Sequence, residues 1–147
     1  MFNILLIMIL YACHIGIVTV LRGLKNNIAS GIDFSLTGAF LAGYWFGWKW
    51  GLIIGCIFAI TNNIVQMEFY PSMFILIPAT GLLGIWGSFV GFMGLPILSS
   101  VIIGVIVYAI ITDIIMMTLL GERDFVMMGG FFLGSLLINW IFFDLFF

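Results

Sequence analysis

The scarcity of charged side chains is the feature that most constrains how this chain folds. Its 147 residues include four Lys or Arg and six Asp or Glu, and 65% of the sequence is hydrophobic. A soluble domain carries about 25% charged residues, whereas here the fraction is 7%. So few charges do not cover a globule of this size, and lipid must therefore be the solvent for most of the surface. The sequence predicts an integral membrane protein with room for at most about six spans, at about 20 residues per spanning helix.

Charges, glycines and prolines divide the chain into six apolar segments. We predict helices at Phe2–Leu21, Phe34–Phe46, Gly51–Gln66, Ser72–Phe92, Ile97–Leu120 and Phe125–Phe147. No ten-residue block alternates polar and apolar residues as a membrane barrel requires. The predicted fold is an all-α integral membrane protein, a compact bundle of six transmembrane helices forming a single domain over residues 1–147. The second segment is short, and a re-entrant element there would leave five spans.

Small residues recur at helical spacing on several segments. They are Ala12 and Gly16 on the first helix, Gly47, Gly51, Gly55 and Ala59 on the third, and a glycine series from Gly81 to Gly94 on the fourth. In lipid, such stripes allow two helix backbones to approach closely. Each stripe predicts packing inside the bundle, with docking of another membrane subunit as the alternative.

The polar residues are unevenly divided between the two membrane faces. Successive helices reverse direction, so the first, third and fifth helices end at one face, which we call side A; the opposite face is side B. Seven charged residues border side A: Arg22, Lys25, Asp33, Glu68, Glu122, Arg123 and Asp124. Lys49 and Asp144 lie at side B. The excess of basic residues at side A predicts that this side is cytoplasmic.

Asp113 is the deepest ionisable residue near side A, about 10 Å from the predicted end of the fifth helix. An ionisable group at that depth indicates a functional site unless it makes a structural hydrogen bond. Asn62 and Asn63 lie at a similar depth, although amides also commonly end membrane helices. We predict a substrate site whose polar contacts are Asn62, Asn63, Gln66 and Asp113, with Tyr70, Met117 and Met128 as walls. His14, the single histidine, is predicted to be a packed structural residue.

Catalytic and cofactor motifs are absent from the sequence. It contains no Gly-x-Ser-x-Gly, Walker loop or Cys-x-x-Cys, and its carboxylates form no cluster typical of a metal site. Four scattered basic residues make no patch for nucleic acid. We therefore predict a protein that is not an enzyme, binds no metal, cofactor or nucleic acid, and works within the lipid bilayer.

Residues 32–55 resemble the substrate-binding S components of energy-coupling factor (ECF) transporters. The similarity lies in Leu41-Ala42-Gly43, the aromatic-Gly pair Phe46-Gly47, and the spacing of Gly51 and Gly55 where the third helix opens. Asn62-Asn63 stands where members of the family often carry polar residues. The rest of the chain shares the six-helix layout.

The resemblance implies a subunit of the cell membrane that captures a vitamin or similar small molecule. Its pocket would face outside, at side A, beneath the loop between the first two helices. Ala12-x-x-x-Gly16 would be the motif that docks to a transmembrane coupling subunit, which works with ATPase subunits. This orientation is opposite to the one that the basic residues predict.

Two other classes of function remain open. A non-transporting scaffold such as the rod-shape protein MreD has a comparable size and a glycine-rich hairpin, and would use Asn62, Asn63 and Asp113 in helix–helix contacts. A channel or permease acting alone would need polar residues through the full depth of the bundle. The side-B halves of these helices are largely apolar, so we rank the channel last.

Overall fold

In its described residues, the computed structural model contains six α-helices. They are α1 (Phe2–Gly23), α2 (Ser35–Phe46), α3 (Trp48–Gln66), α4 (Met73–Met93), α5 (Ile97–Leu120) and α6 (Phe125–Phe146). The structure describes the backbone of residues 2–23, 34–66, 71, 73–120 and 125–146, and the side chains of residues 2–20, 34–65, 71, 73–118 and 133–144. These ranges contain no strand, so the predicted all-α bundle is confirmed.

Four of the described helices, α1, α3, α4 and α5, contain segments long and apolar enough to cross a membrane. Their outer faces carry large apolar side chains such as Phe74 and Phe92, which are 86% and 87% exposed. At the start of α3, Trp48 and Trp50 are exposed, and Lys49 Nζ lies 5.7 Å from the centre of the Trp48 ring. Such aromatic and basic side chains are typical of a membrane interface. The chain is therefore a membrane protein with multiple spans.

Helix α2 lies at the centre of the bundle although it is the shortest helix described. Every residue from Ser35 to Gly43 is buried, and Leu36, Phe40 and Leu41 are fully enclosed. Helices α1, α3, α4 and α5 all pack against it. Its 12 residues rise about 18 Å, against a hydrocarbon layer of about 30 Å. The short second segment is thus a helix, as predicted, but it does not by itself have the length of a span.

Gly47 makes the whole connection between α2 and α3. Its φ of 88° lies in the left-handed region, which glycine adopts without the steric cost that a Cβ imposes. Its N–H donates to the Gly43 carbonyl, and its own carbonyl accepts from the N–H of Gly51. Two sequence predictions are wrong here. Helix α3 begins at Trp48 rather than Gly51, and Gly47 is a turn residue rather than part of the small-residue stripe, because this one glycine reverses the chain.

Glycines allow α2, α3 and α4 to pack with their backbones in contact. A methyl group added at Gly51 would lie 2.5 Å from the Gly84 carbonyl oxygen and 2.7 Å from the Gly43 Cα. One added at Gly55 would lie 2.8 Å from the Thr80 carbonyl oxygen. Backbone atoms cannot rotate away as a side chain can, so these positions have no room for a larger residue. The small-residue stripes of α3 and α4 are therefore used inside the bundle, as predicted, from Gly51 to Ala59 and from Gly81 to Gly91. The prediction is wrong for Gly94, which follows the end of α4 with a φ of 63° and where a Cβ would meet no atom within 4 Å.

Replacing Gly84 with Ala should lower the free energy of unfolding by about 1–3 kcal/mol, the usual cost of overpacking. The new methyl group would collide with the backbone of Gly51. Unfolding by SDS in mixed micelles measures the change. Gly16→Ala is the matched control, because a Cβ at Gly16 meets no atom within 4 Å. Equal stability of the two variants would contradict the close packing of α3 and α4.

Candidate functional site

Asn62 and Asn63, the predicted polar contacts on α3, are both half-buried near side A. Asn63 Nδ2 donates to the Ala59 carbonyl of its own helix at 2.8 Å. The nitrogen of the Asn63 amide therefore satisfies a backbone carbonyl of its own helix, as amides near helix ends often do. The oxygen of this amide is the group that it would offer to a ligand.

Asp113 and Met117 lie on α5, with Asp113 half-buried and Met117 exposed. Helices α2 and α4 each pack against both α3 and α5. The predicted polar contacts that the structure describes are thus carried by two helices that each pack against α2 and α4. Within the described residues, no three His, Cys, Asp or Glu side chains come together as a metal site requires.

Three predicted site residues fall outside the described side chains. Gln66 and Met128 belong to α3 and α6, but the structure describes only their backbone. Tyr70 lies outside the described residues altogether. Their assignment to the substrate site stays a prediction.

A buried polar contact that the sequence analysis missed joins α2 to α6. Thr37 Oγ1 donates to Asn139 Oδ1 at 2.7 Å, and Asn139 Nδ2 donates to the Ser135 carbonyl at 2.7 Å. Thr37, Ser135 and Asn139 are all fully buried. The sequence contains one signal of this contact, because Asn139 is an amide well inside the apolar run of the last helix. A polar side chain at such a position predicts an interhelical hydrogen bond.

A second polar contact joins α1 to α3. The hydroxyl groups of Tyr11 and Thr61 lie 2.8 Å apart, and the Tyr11 ring packs edge-on against Phe58 at 4.9 Å between ring centres. His14, one turn further along α1, is fully buried with its ring 5.7 Å from the same Phe58. One face of α1 is thereby fixed to the bundle.

The opposite face of α1 carries the predicted docking pair, Ala12 and Gly16. Both residues are exposed, and so is Cys13 beside them. A Cβ at Gly16 would meet open space, in contrast to the enclosed glycines of α3 and α4. This pair therefore forms a smooth patch on the outside of the described bundle.

The outer surface also has a groove of about 200 Å³ between α4 and α5. Leu83, Gly104 and Tyr108 are among its lining residues and are buried, whereas Leu82 and Val107 line it from exposed positions. None of the predicted substrate contacts that the structure describes lines this groove. The groove and the predicted side-A site are thus different features.

Comparison of the chain with protein-family models, curated proteins and solved structures gives no match.

Replacing Thr37 with Val should lower the free energy of unfolding by about 1 kcal/mol, because the Asn139 oxygen loses its buried donor. Asn139→Leu should destabilise the protein as well. The double variant should lose less than the sum of the two single losses, since both remove the same bond.

The same SDS titration measures this double-mutant cycle. Thr118→Val is the control, because the Thr118 hydroxyl is exposed and donates to the Ile114 carbonyl of its own helix. Strict additivity of the Thr37 and Asn139 substitutions would argue against a stabilising contact between α2 and α6.

Proposed function

We propose that this protein is the membrane-embedded substrate-capture subunit of an ECF-type uptake transporter in the cell membrane. It binds a vitamin or similar small molecule at side A and presents it to a transmembrane coupling subunit. ATP hydrolysis belongs to separate ATPase subunits of the same transporter. The exposed patch of Ala12 and Gly16 on α1 is the observation that carries the proposal.

The argument from this patch rests on how helices associate in lipid. Association there depends on close backbone approach, because lipid tails are as apolar as the side chains they contact. The glycines of α3 and α4 are already used against α2 and against each other. The small pair of α1 faces outward instead, which is the arrangement that a helix of a partner subunit requires. The resemblance of residues 32–55 to S components supplies the kind of partner.

The proposed substrate contacts are Asn62, Asn63, Gln66 and Asp113, with walls formed by Tyr70, Met117 and Met128. The partial exposure of Asn62, Asn63 and Asp113 supports this role, since a substrate must reach the side chains that bind it. Amide and carboxyl groups would orient the molecule, while methionine and tyrosine would cover its apolar surface.

A scaffold of the MreD type is the second candidate. The hydrogen bonds from Thr37 to Asn139 and from Asn63 to Ala59 favour it. The first joins α2 to α6 and the second satisfies a backbone carbonyl of α3 itself. Both polar side chains thus serve the protein's own structure, which is the use that a protein without a ligand would make of them.

The docking test compares variants of α1 in cells that also express an ECF coupling subunit and its ATPases. Ala12→Leu and Gly16→Leu should abolish co-purification of the coupling subunit, because the added bulk prevents close helix approach. Gly16→Ala is the matched control, because it changes the same position but keeps the residue small, and a Cβ at Gly16 meets no atom within 4 Å. Equal co-purification of all three variants would contradict the proposed docking face.

The ligand test is native mass spectrometry of the purified protein, followed by a thermal-shift screen of vitamins. A bound small molecule should be detected, and Asp113→Asn should reduce its retention severalfold. Thr118→Val, which alters another α5 residue near side A, should retain it. Absence of any ligand, together with co-purification of cell-wall assembly proteins, would replace the transporter with the scaffold.

The orientation test uses a membrane-impermeant maleimide on intact cells. In the proposed orientation side A faces outside, so a cysteine introduced as Glu122→Cys should be labelled. Ser99→Cys, an exposed position near side B, should be protected. The reverse pattern would be the one predicted by the basic residues, and it would overturn the S-component orientation.

A further inference from the structure

Helix α4 divides at Pro78 into two parts that are packed differently. The buried residues of α4 all lie after this proline, from Thr80 to Val90. None of the side chains from Met73 to Ile77, a segment that we name the α4 arm, is buried. Only the part after Pro78 is therefore enclosed by the bundle.

The enclosed part of α4 is held against its neighbours by backbone contact. A Cβ at Gly55 would lie 2.8 Å from the Thr80 carbonyl oxygen, and one at Gly91 would lie 2.8 Å from the Tyr44 carbonyl oxygen. Contacts of this kind leave the helix no room to shift, and they begin only just after Pro78. The α4 arm contains no glycine, so its side chains keep neighbouring backbones further away.

Pro78 weakens the helix where the two parts meet. Proline has no N–H, so the Phe74 carbonyl lacks the bond that residue 78 would otherwise donate. The proline ring also crowds that carbonyl, which is a usual cause of a bend in a helix. Pro78 is exposed, so its ring lies outside the buried core and its effect is on the backbone of α4.

Two side chains supply second donors to the carbonyls next to Pro78. Thr80 Oγ1 donates to the Leu76 carbonyl at 2.8 Å, and Cys56 Sγ donates to the Ile77 carbonyl at 3.8 Å. A bend that opened the backbone bonds of these carbonyls would leave each with a partner, which is important where no water replaces a lost bond. A threonine that bonds back to its own helix also favours bending. These contacts therefore lower the cost of a bend at Pro78.

The α4 arm lies beside the side-A end of α3. The close approach of Gly55 to Thr80 sets the antiparallel register of the two helices. About two turns further toward side A, this register places Asn62 at the level of Met73, the far end of the arm. The arm is about 7.5 Å long, and a change of about 20° in the bend moves its end by about 3 Å. This displacement is about the diameter of a water molecule, enough to open the seam between the arm and α3.

We propose that Pro78 is a hinge on which the α4 arm swings, opening and closing the side-A end of the seam between α3 and α4. The part of α4 after Pro78 stays fixed. Admission of a substrate to Asn62 by this swing rests on the proposed capture function, whereas the hinge itself does not.

The hinge is tested with the full-length protein in lipid nanodiscs by double electron–electron resonance, which measures the distance between two spin labels. Cys13→Ser and Cys56→Ser remove the native thiols, and the second change keeps a hydrogen-bond donor at its position. Ile9→Cys on α1 is paired either with Phe74→Cys in the arm or with Leu82→Cys after the hinge, and all three positions are exposed. The Phe74 pair should give a distance distribution about 3 Å wider than the Leu82 pair. Equal widths would overturn the hinge.

Two proline variants distinguish a hinge at Pro78 from general looseness of this end of α4. Pro78→Ala restores the N–H and should remove the excess width at Phe74. It should leave the Leu82 pair unchanged, as expected of an intact bundle. Pro96→Ala, which removes another exposed proline just before α5, should preserve the excess width. Excess width that persists in Pro78→Ala would also overturn the hinge.

Opening of the seam is measured by the rate at which a water-soluble maleimide modifies Asn62→Cys in the protein without native thiols. Pro78→Ala should slow this reaction severalfold, whereas the rate at Ser99→Cys, exposed near side B, should not change. Equal rates at Asn62→Cys with and without Pro78 would overturn the opening of the seam. Neither measurement uses a ligand, so a rigid α4 would not affect the proposed capture function, and absence of a bound vitamin would not affect the hinge.

Discussion

Backbone contact between α2, α3 and α4 is the constraint on which the rest of this structure depends. In water, burial of apolar surface would drive these helices together. In a bilayer, burial supplies no such driving force, because the lipid tails are as apolar as the side chains that they contact. Stability must come from dispersion contacts and interhelical hydrogen bonds, and both require close approach. Gly43, Gly51 and Gly84 permit that approach at one point where all three helices meet. A short helix that does not have the length of a span is thereby held at the centre of the bundle.

The outer helices are fixed by a different means. Helix α1 is joined to α3 by the Tyr11–Thr61 contact, and α6 is joined to α2 by the Thr37–Asn139 bond. Each contact pairs polar groups that would otherwise face hydrocarbon. Unlike a dispersion contact, each is also directional. The bundle therefore combines a glycine-packed centre with polar contacts that attach the outer helices to it.

The outer surface carries features of different shape. The patch at Ala12 and Gly16 is smooth, whereas the groove between α4 and α5 is lined by apolar side chains of both helices. The predicted side-A residues whose side chains the structure describes lie on α3 and α5, and each of these helices packs against both α2 and α4. In the function that we propose, the ligand site and the docking face would lie at separate places, so that binding and handover would not compete for the same surface.

The sequence by itself determined that lipid surrounds most of the protein, that the fold is all-α, and where nearly all the helices begin and end. These features follow from the lengths of the apolar runs and the positions of Gly, Pro and charged residues, which are local properties of the chain. It also identified which residues are small enough for close packing. Only the tertiary structure decided which small residues pack inside the bundle and which lie on its outer surface, because the small residues of α1 and α3 have the same four-residue spacing. It placed α2 at the centre, made Gly47 a turn, and paired Thr37 with Asn139, residues far apart in the chain. The groove likewise belongs to neither helix alone, because its shape depends on how Gly104 of one helix meets Trp86 of the other.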